Sequence, residues 1–342
     1  MKSAQYRPRH VEIRSCLITH PRLGIGVAAL LALIAFTILA WGHDRSISVV
    51  AAPVSRDGVS RTVPPRDPLP AVEVVGAESV APAAPARPAP RVEPGSELVE
   101  GDYFVHIPPV LSDRMEVLVA LHGMGGQGSE FCQALLSRSD RERWVVVAPT
   151  YAYGDWRDPN QVMREESSRF IPRLHEFLEG LPERTGLPLD TKASFYGFSR
   201  GAQLAQRFAM VYPEQTLGVA VLSGGTYTLP QASTVVDGAT VTLRYPFGTA
   251  DLSERFGRPF DPTALRGIPF WIGVGANDRN PTDLPRQWDS YEGNTRVARA
   301  QVFAQRLSES GVPVQLTLFP GVDHAITDEI TRSALDFIAG LQ

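Results

Sequence analysis

Apolar residues fall into three patterns along the 342-residue chain. The first is one uncharged run, GIGVAALLALIAFTILAW, over residues 24–41. As a helix it would extend roughly 27 Å at 1.5 Å per residue, close to the hydrocarbon thickness of a bilayer, and it has no polar face. The second pattern is a lack of periodicity. Residues 43–97 are rich in Pro, Ala and Val, as in VPPRDPLP and VAPAAPARPAPRVEP. That composition favours extended polyproline conformations and cannot assemble a packed core. The third pattern begins at Leu98, where short β-branched runs alternate with amphipathic stretches.

The runs are YFVHIP (103–108), EVLVALHG (116–123), WVVVAP (144–149), ASFYGF (193–198), GVAVLSGG (218–225), PFWIGVG (269–275) and VQLTLFP (314–320). Helical spacing appears over 163–181, 202–212, 295–310 and 328–341. Continuous apolar strands imply a sheet buried on both faces, and strand–helix alternation implies parallel order. The predicted organisation is a basic cytoplasmic N-terminus (1–23), a transmembrane anchor or signal segment (24–42), a Pro/Ala-rich linker (43–97) and one α/β domain (98–342). The α/β domain is expected to be a doubly wound, mostly parallel sheet.

Charge sharpens this division. The net charge is −4, but the first 43 residues hold five basic residues and one acidic residue, which leaves −8 for the remainder. The basic flank predicts a cytoplasmic N-terminus and an exported domain. Cleavage of the apolar segment as a signal peptide would instead secrete the domain, although AWGHDRS makes a poor small-x-small cleavage site. An acidic domain repels phosphate backbones, which argues against a nucleic-acid partner. The two cysteines, Cys16 and Cys132, flank the apolar run and so are expected on opposite sides of a membrane, excluding a disulfide between them and a cysteine-type zinc site. Cys132 reads as a small core residue.

In open α/β sheets, chemistry gathers beyond the carboxyl ends of the strands. After ASFYGF comes Ser199, within G-x-S-x-G and followed by a strong helix pattern, the context of a nucleophile on a sharp strand–helix turn. A serine hydroxyl needs a base, and the base needs an orienting acid. His324, in FPGVDHAIT after the last run, is the one histidine downstream of the serine. His106 and His175 read as structural and surface residues. Asp278, beyond the run PFWIGVG, is the preferred acid; Asp251 is the second choice, and Asp283 and Asp323 are less well placed. The developing oxyanion needs backbone donors. The N–H of Arg200 is one candidate, and that of Met124, in the glycine-rich HGMGGQG after the second run, is the other. His122 reads as a brace for that loop.

These motifs, HG-x-G-G, G-x-S-x-G, G-x-x-D and a late histidine, occur in the order found in α/β hydrolases, and the domain resembles that superfamily. Its texture is nearest to exported carboxylesterases of the dienelactone-hydrolase, feruloyl-esterase and polyhydroxybutyrate-depolymerase kind. The resemblance implies a serine esterase with no metal or organic cofactor, acting on a small-molecule or polymer ester. A peptidase, amidase or thioesterase would use the same groups, and a binding module could keep the fold without the chemistry. Residues 226–268 align with no one subfamily and are expected to form a partial lid or a pocket wall. Tyr153, Trp156 and Tyr227 are either pocket aromatics or ordinary packing.

Overall fold

The computed structural model describes residues 92–341. The expected membrane segment, and the linker up to Arg91, lie outside the described residues; among the described residues no helix is long and apolar enough to cross a membrane. The strands are β1 (Glu97–Glu100), β2 (Tyr103–His106), β3 (Met115–Leu121), β4 (Val145–Pro149), β5 (Leu189–Phe198), β6 (Thr216–Leu222), β7 (Ser233–Val236), β8 (Ala239–Thr242), β9 (Phe270–Gly275) and β10 (Val314–Phe319). Eight of them form one sheet in the order β1-β2-β4-β3-β5-β6-β9-β10, and β7 and β8 form a separate hairpin. Within the large sheet β2 runs antiparallel to both neighbours, and every other pair is parallel. Seven of these strands lie on the seven apolar runs, as the doubly wound expectation required.

The helices are α1 (Gly128–Phe131), α2 (Gln133–Glu142), α3 (Pro159–Glu165), α4 (Ile171–Thr185), α5 (Arg200–Val211), α6 (Leu252–Phe256), α7 (Pro262–Leu265), α8 (Asp289–Glu292), α9 (Arg296–Glu309) and α10 (Asp328–Ala339). A π turn, Glu166–Phe170, joins α3 to α4. Side chains alternate across each strand. Along β5, Phe195 faces a core shared with α4, α5 and α9, and Tyr196 faces a second core shared with α2 and α10. Helix α5 is buried along its whole length. It reaches the sheet through small residues: a methyl group at Gly201 would collide with the Leu121 carbonyl oxygen, and one at Gly197 would lie 2.6 Å from the Gly201 carbonyl oxygen.

Backbone pairing with the domain is already present before the expected boundary at Leu98. Val92 N–H donates to the Thr185 carbonyl and Gly95 N–H to the Pro108 carbonyl. The polar ELVE of β1 hid this edge strand, because its side chains are mostly exposed and carry no apolar run.

Candidate active site

Four chain segments converge at the carboxyl end of the sheet. The first is the turn from β5 into α5. Ser199 holds φ 52° and ψ −111°, a backbone region that non-glycine residues rarely occupy. Its N–H is held by the Leu222 carbonyl at 2.9 Å, and its own carbonyl accepts from the Gln203 N–H at 3.2 Å. The strain is thus balanced by bonds on both sides, and the hydroxyl projects from the tip of a 12-residue helix N-terminus.

The second and third segments follow β9 and β10. His324 Nε2 lies 3.0 Å from Ser199 Oγ, and His324 Nδ1 lies 2.9 Å from Asp278 Oδ2. An ionised carboxylate only accepts, so Nδ1 carries the proton and Nε2 is left to accept from the serine hydroxyl. Asp278 is 3 % exposed, and its other oxygen accepts from Arg296 Nη1 at 3.1 Å. Arg296, at the start of α9, also reaches the Asp283 carbonyl at 3.4 Å. Phe198 stacks on the His324 ring at 4.9 Å.

The fourth segment is the glycine loop after β3. Gly123 packs so close to the turn that an added methyl would sit 3.4 Å from Ser199 Cβ, and the next residue, Met124, lines the same cavity as Ser199. His122 braces this loop. Its Nε2 accepts from the Tyr151 N–H at 2.9 Å, so Nδ1 carries the proton and donates to the Gly123 carbonyl at 2.6 Å. Burial lowers the His122 pKa, which keeps the ring neutral in that arrangement.

Met124, Trp156, Ser199, Arg200, Arg296 and His324 share the lining of a cavity of about 250 Å³. The structure therefore brings together all five residues singled out in the sequence: Ser199, His324 and Asp278 in one hydrogen-bonded chain, with Met124 and Arg200 beside it. Asp251 lies apart from this chain, accepting from the Tyr245 N–H at 2.6 Å and from Arg255. Asp283 lines the cavity, but only its carbonyl meets Arg296. His106 bonds Asp140 at 2.7 Å, and His175 stacks on Tyr212 and meets Gln215. Of the three aromatics, Trp156 lines the cavity and Tyr227 is buried against Phe303. Tyr153 packs between His122 and Arg200.

Sequence reading missed a buried polar cluster behind the serine. Glu166, in the π turn, accepts from Arg200 and from the Tyr245 hydroxyl, and from Arg207 Nη1 at 2.9 and 3.2 Å. Arg207 also donates to Thr226 and Thr228, and Thr226 donates to Gln203. Burial acts to raise the Glu166 pKa, but Arg200 and Arg207 overcome it and hold the carboxyl below its usual range. The available signal was the spacing of Arg200, Gln203 and Arg207, which puts three polar residues on one stripe of a largely apolar helix.

The arrangement can move a proton from a serine hydroxyl to an imidazole held in one tautomer, next to backbone donors at a helix N-terminus. No protein-family model and no curated protein matches the chain. Solved structures do. Poly(aspartic acid) hydrolase-1 from Sphingomonas sp. KT-1 is 18% identical, with a TM-score of 0.55 over 72% of this chain and 99% of that one. LpqC, a poly(3-hydroxybutyrate) depolymerase from Bordetella parapertussis, is 20% identical, with a TM-score of 0.53 over 70% of this chain and 83% of that one. At these identities the likeness is one of fold, and that fold is the α/β-hydrolase fold.

Proposed function

We propose that the chain is a serine hydrolase that cleaves carboxylic esters through an acyl-enzyme on Ser199. The observation that carries this reading is the continuous chain from Ser199 Oγ through His324 to buried Asp278, opening on a cavity that Met124 and Arg200 also line. Ser199 Oγ attacks the ester carbonyl while His324 Nε2 takes its proton. Asp278 fixes the ring orientation and stabilises the imidazolium. The N–H groups of Arg200 and Met124 meet the tetrahedral oxyanion, and the N-terminal dipole of α5 adds to them. His324 returns the proton to the leaving alcohol, and water then resolves the acyl-enzyme by the same steps. The two similarly folded proteins are by name a hydrolase and a depolymerase of polymers, which agrees with acyl transfer to water.

The cavity, about 250 Å³, is smaller than the roughly 300–1,000 Å³ typical of sites for drug-sized ligands, which favours a short group beside the nucleophile. The basic flank and apolar run at 24–42 support a membrane-tethered domain outside the cytoplasm. An alkyl fluorophosphonate should label Ser199, and Ser199→Ala should abolish hydrolysis of 4-nitrophenyl acetate with an unchanged melting transition. Activity surviving in the alanine variant would assign the nucleophile elsewhere. Faster turnover of a 4-nitroanilide than of the matching ester would move the assignment from esters to amides.

A further inference from the structure

The two prospective oxyanion donors sit on separate segments. Met124 is on the loop after β3, and Arg200 is the first residue of α5. An oxyanion must lie roughly 2.7–3.1 Å from each donor, so catalysis depends on the gap between these segments. Something must set that gap from behind, because Met124 itself is exposed at the cavity mouth.

Tyr153, on the loop after β4, occupies that position. Its ring centroid lies 5.1 Å from the His122 ring on one side and 5.1 Å from the Arg200 guanidinium carbon on the other. Each contact reaches one half of the donor pair. His122 is rigidly tied to the glycine loop through Gly123, and to the strand-end backbone through Tyr151. The Tyr153 loop is itself fastened: Gly154 N–H donates to Glu165 at 3.1 Å, and Arg169 donates to the Ala152 carbonyl at 3.2 Å.

The Tyr153 hydroxyl is buried with no hydrogen-bond partner, so the ring rather than the hydroxyl is the useful part. Arg200 is likewise fixed from its far end. Its Nη1 donates to Glu166 and, at 3.4 Å, to Gln203 Oε1, while Nε and Nη2 of the same guanidinium are buried without hydrogen-bond partners beside the Tyr153 ring. The Tyr153 face gives the part of this guanidinium that makes no hydrogen bond a cation–π contact. Glu166 is buried at the opening of a π turn, an interruption of the α-helix that recurs at functional sites.

We propose that Tyr153 and Glu166 are positioning residues for the oxyanion site: Glu166 clamps the Arg200 side chain against the Tyr153 ring, and the ring, wedged against His122, sets the spacing of the Met124 and Arg200 N–H groups. This rests on the serine-esterase reading and adds to it the parts that hold the donors in register. Neither residue is among those that line the cavity. Both act on transition-state binding through the backbone of others, so their loss lowers kcat while leaving KM in place.

The test uses the detergent-solubilised full chain, 4-nitrophenyl acetate, and a trifluoromethyl ketone that forms a tetrahedral adduct with the serine. Tyr153→Phe keeps the ring and should stay within about twofold of the unmodified protein, since the hydroxyl bonds nothing. Tyr153→Ala and Tyr153→Leu should each lower kcat on the order of tenfold to a hundredfold, approaching the loss expected for one oxyanion donor. KM should change less than about twofold, and ketone affinity should fall in step with kcat. Arg200→Met retains the backbone N–H and leaves the Glu166–Arg207 pair intact, and it should reproduce the same kcat loss. The leucine variant serves should the alanine variant not fold.

Folded leucine and methionine variants with unchanged kcat would overturn the proposal. So would a phenylalanine variant as impaired as alanine, or a kcat loss without matching loss of ketone affinity. An unmodified protein that neither hydrolyses the ester nor reacts with a fluorophosphonate would instead overturn the esterase reading itself.

Discussion

Asp278 answers to two partners at once, with Oδ2 on His324 Nδ1 and Oδ1 on Arg296 Nη1. An asparagine there can present an N–H to the ring and reverse the His324 tautomer, so Nε2 would hold a proton when it should accept one. Asp278→Asn should therefore lower kcat on the order of 10⁴-fold, measured by steady-state ester hydrolysis, with KM little changed. Glu292 makes a different prediction. It is fully buried, accepts the Tyr227 N–H at 3.1 Å, and burial pushes its carboxyl pKa up to about 8 despite nearby Arg299 and Arg207. The folded state then holds a proton that the unfolded state loses at lower pH. The resulting stability is full below about pH 4.5 and is lost as the pH rises towards 8, by on the order of a few kcal/mol. Glu292→Gln keeps an oxygen for Tyr227 and removes the ionisation. Melting curves from pH 5 to 9 should fall less steeply with pH for the variant than for the unmodified protein; parallel curves would contradict the buried-proton account. The contrast between these two acids also shows what the sequence made legible. Asp278 follows an apolar run at a fixed offset from a glycine, whereas Glu292 and Glu166 stand among other polar residues and take their roles from burial that no local pattern encodes.

Elements obey the same division. The strands beneath the site were readable because burial on both faces demands unbroken β-branched runs. Helix α5 was readable as a helix, but its polar stripe of Arg200, Gln203 and Arg207 would ordinarily mark a solvent face; here the α3–α4 segment covers it and supplies Glu166. One extra residue in a π turn rotates everything after it, and helical periodicity averaged over a long window cannot register that shift. The β7–β8 hairpin was encoded by Asp237-Gly238, both with positive φ, between alternating residues, and was hidden inside a segment expected to be a lid or wall. That segment does meet the site: Gly225, at its edge, lines the cavity, and Tyr245 bonds Glu166. Helix α5 approaches the end of β3 closely, where Gly201 lies against the Leu121 and His122 carbonyls. Gly201→Ala would push α5 off β3 and move Ser199 with it. Overpacking of this kind costs about 1–3 kcal/mol, so thermal unfolding should drop by several degrees and ester turnover should fall with it. An alanine variant with unchanged melting and activity would mean that the backbone there yields without moving the nucleophile.

At the scale of the whole molecule, the charge distribution and the apolar run carry the remaining prediction. The domain is acidic and the first 43 residues are basic, so net electrostatic attraction to anionic lipid is concentrated at the N-terminal end. Five basic residues there would bind a membrane surface weakly, and screening at 1 M salt, where the Debye length is about 3 Å, would release them. A membrane-buried run at 24–41 would behave differently, because burial of apolar side chains in hydrocarbon is insensitive to such screening. If the proposed anchor is retained, the full chain should remain in the membrane pellet after a 1 M salt wash, pass into solution with detergent, and still carry its N-terminal residues when analysed by mass. Removing residues 24–41 should abolish that retention even though all five N-terminal basic residues stay in place. Release by salt alone would reduce the N-terminus to a peripheral contact. A soluble mature chain whose mass begins beyond residue 41 would show that the segment serves export and is then removed, placing the same chemistry free in the exterior medium.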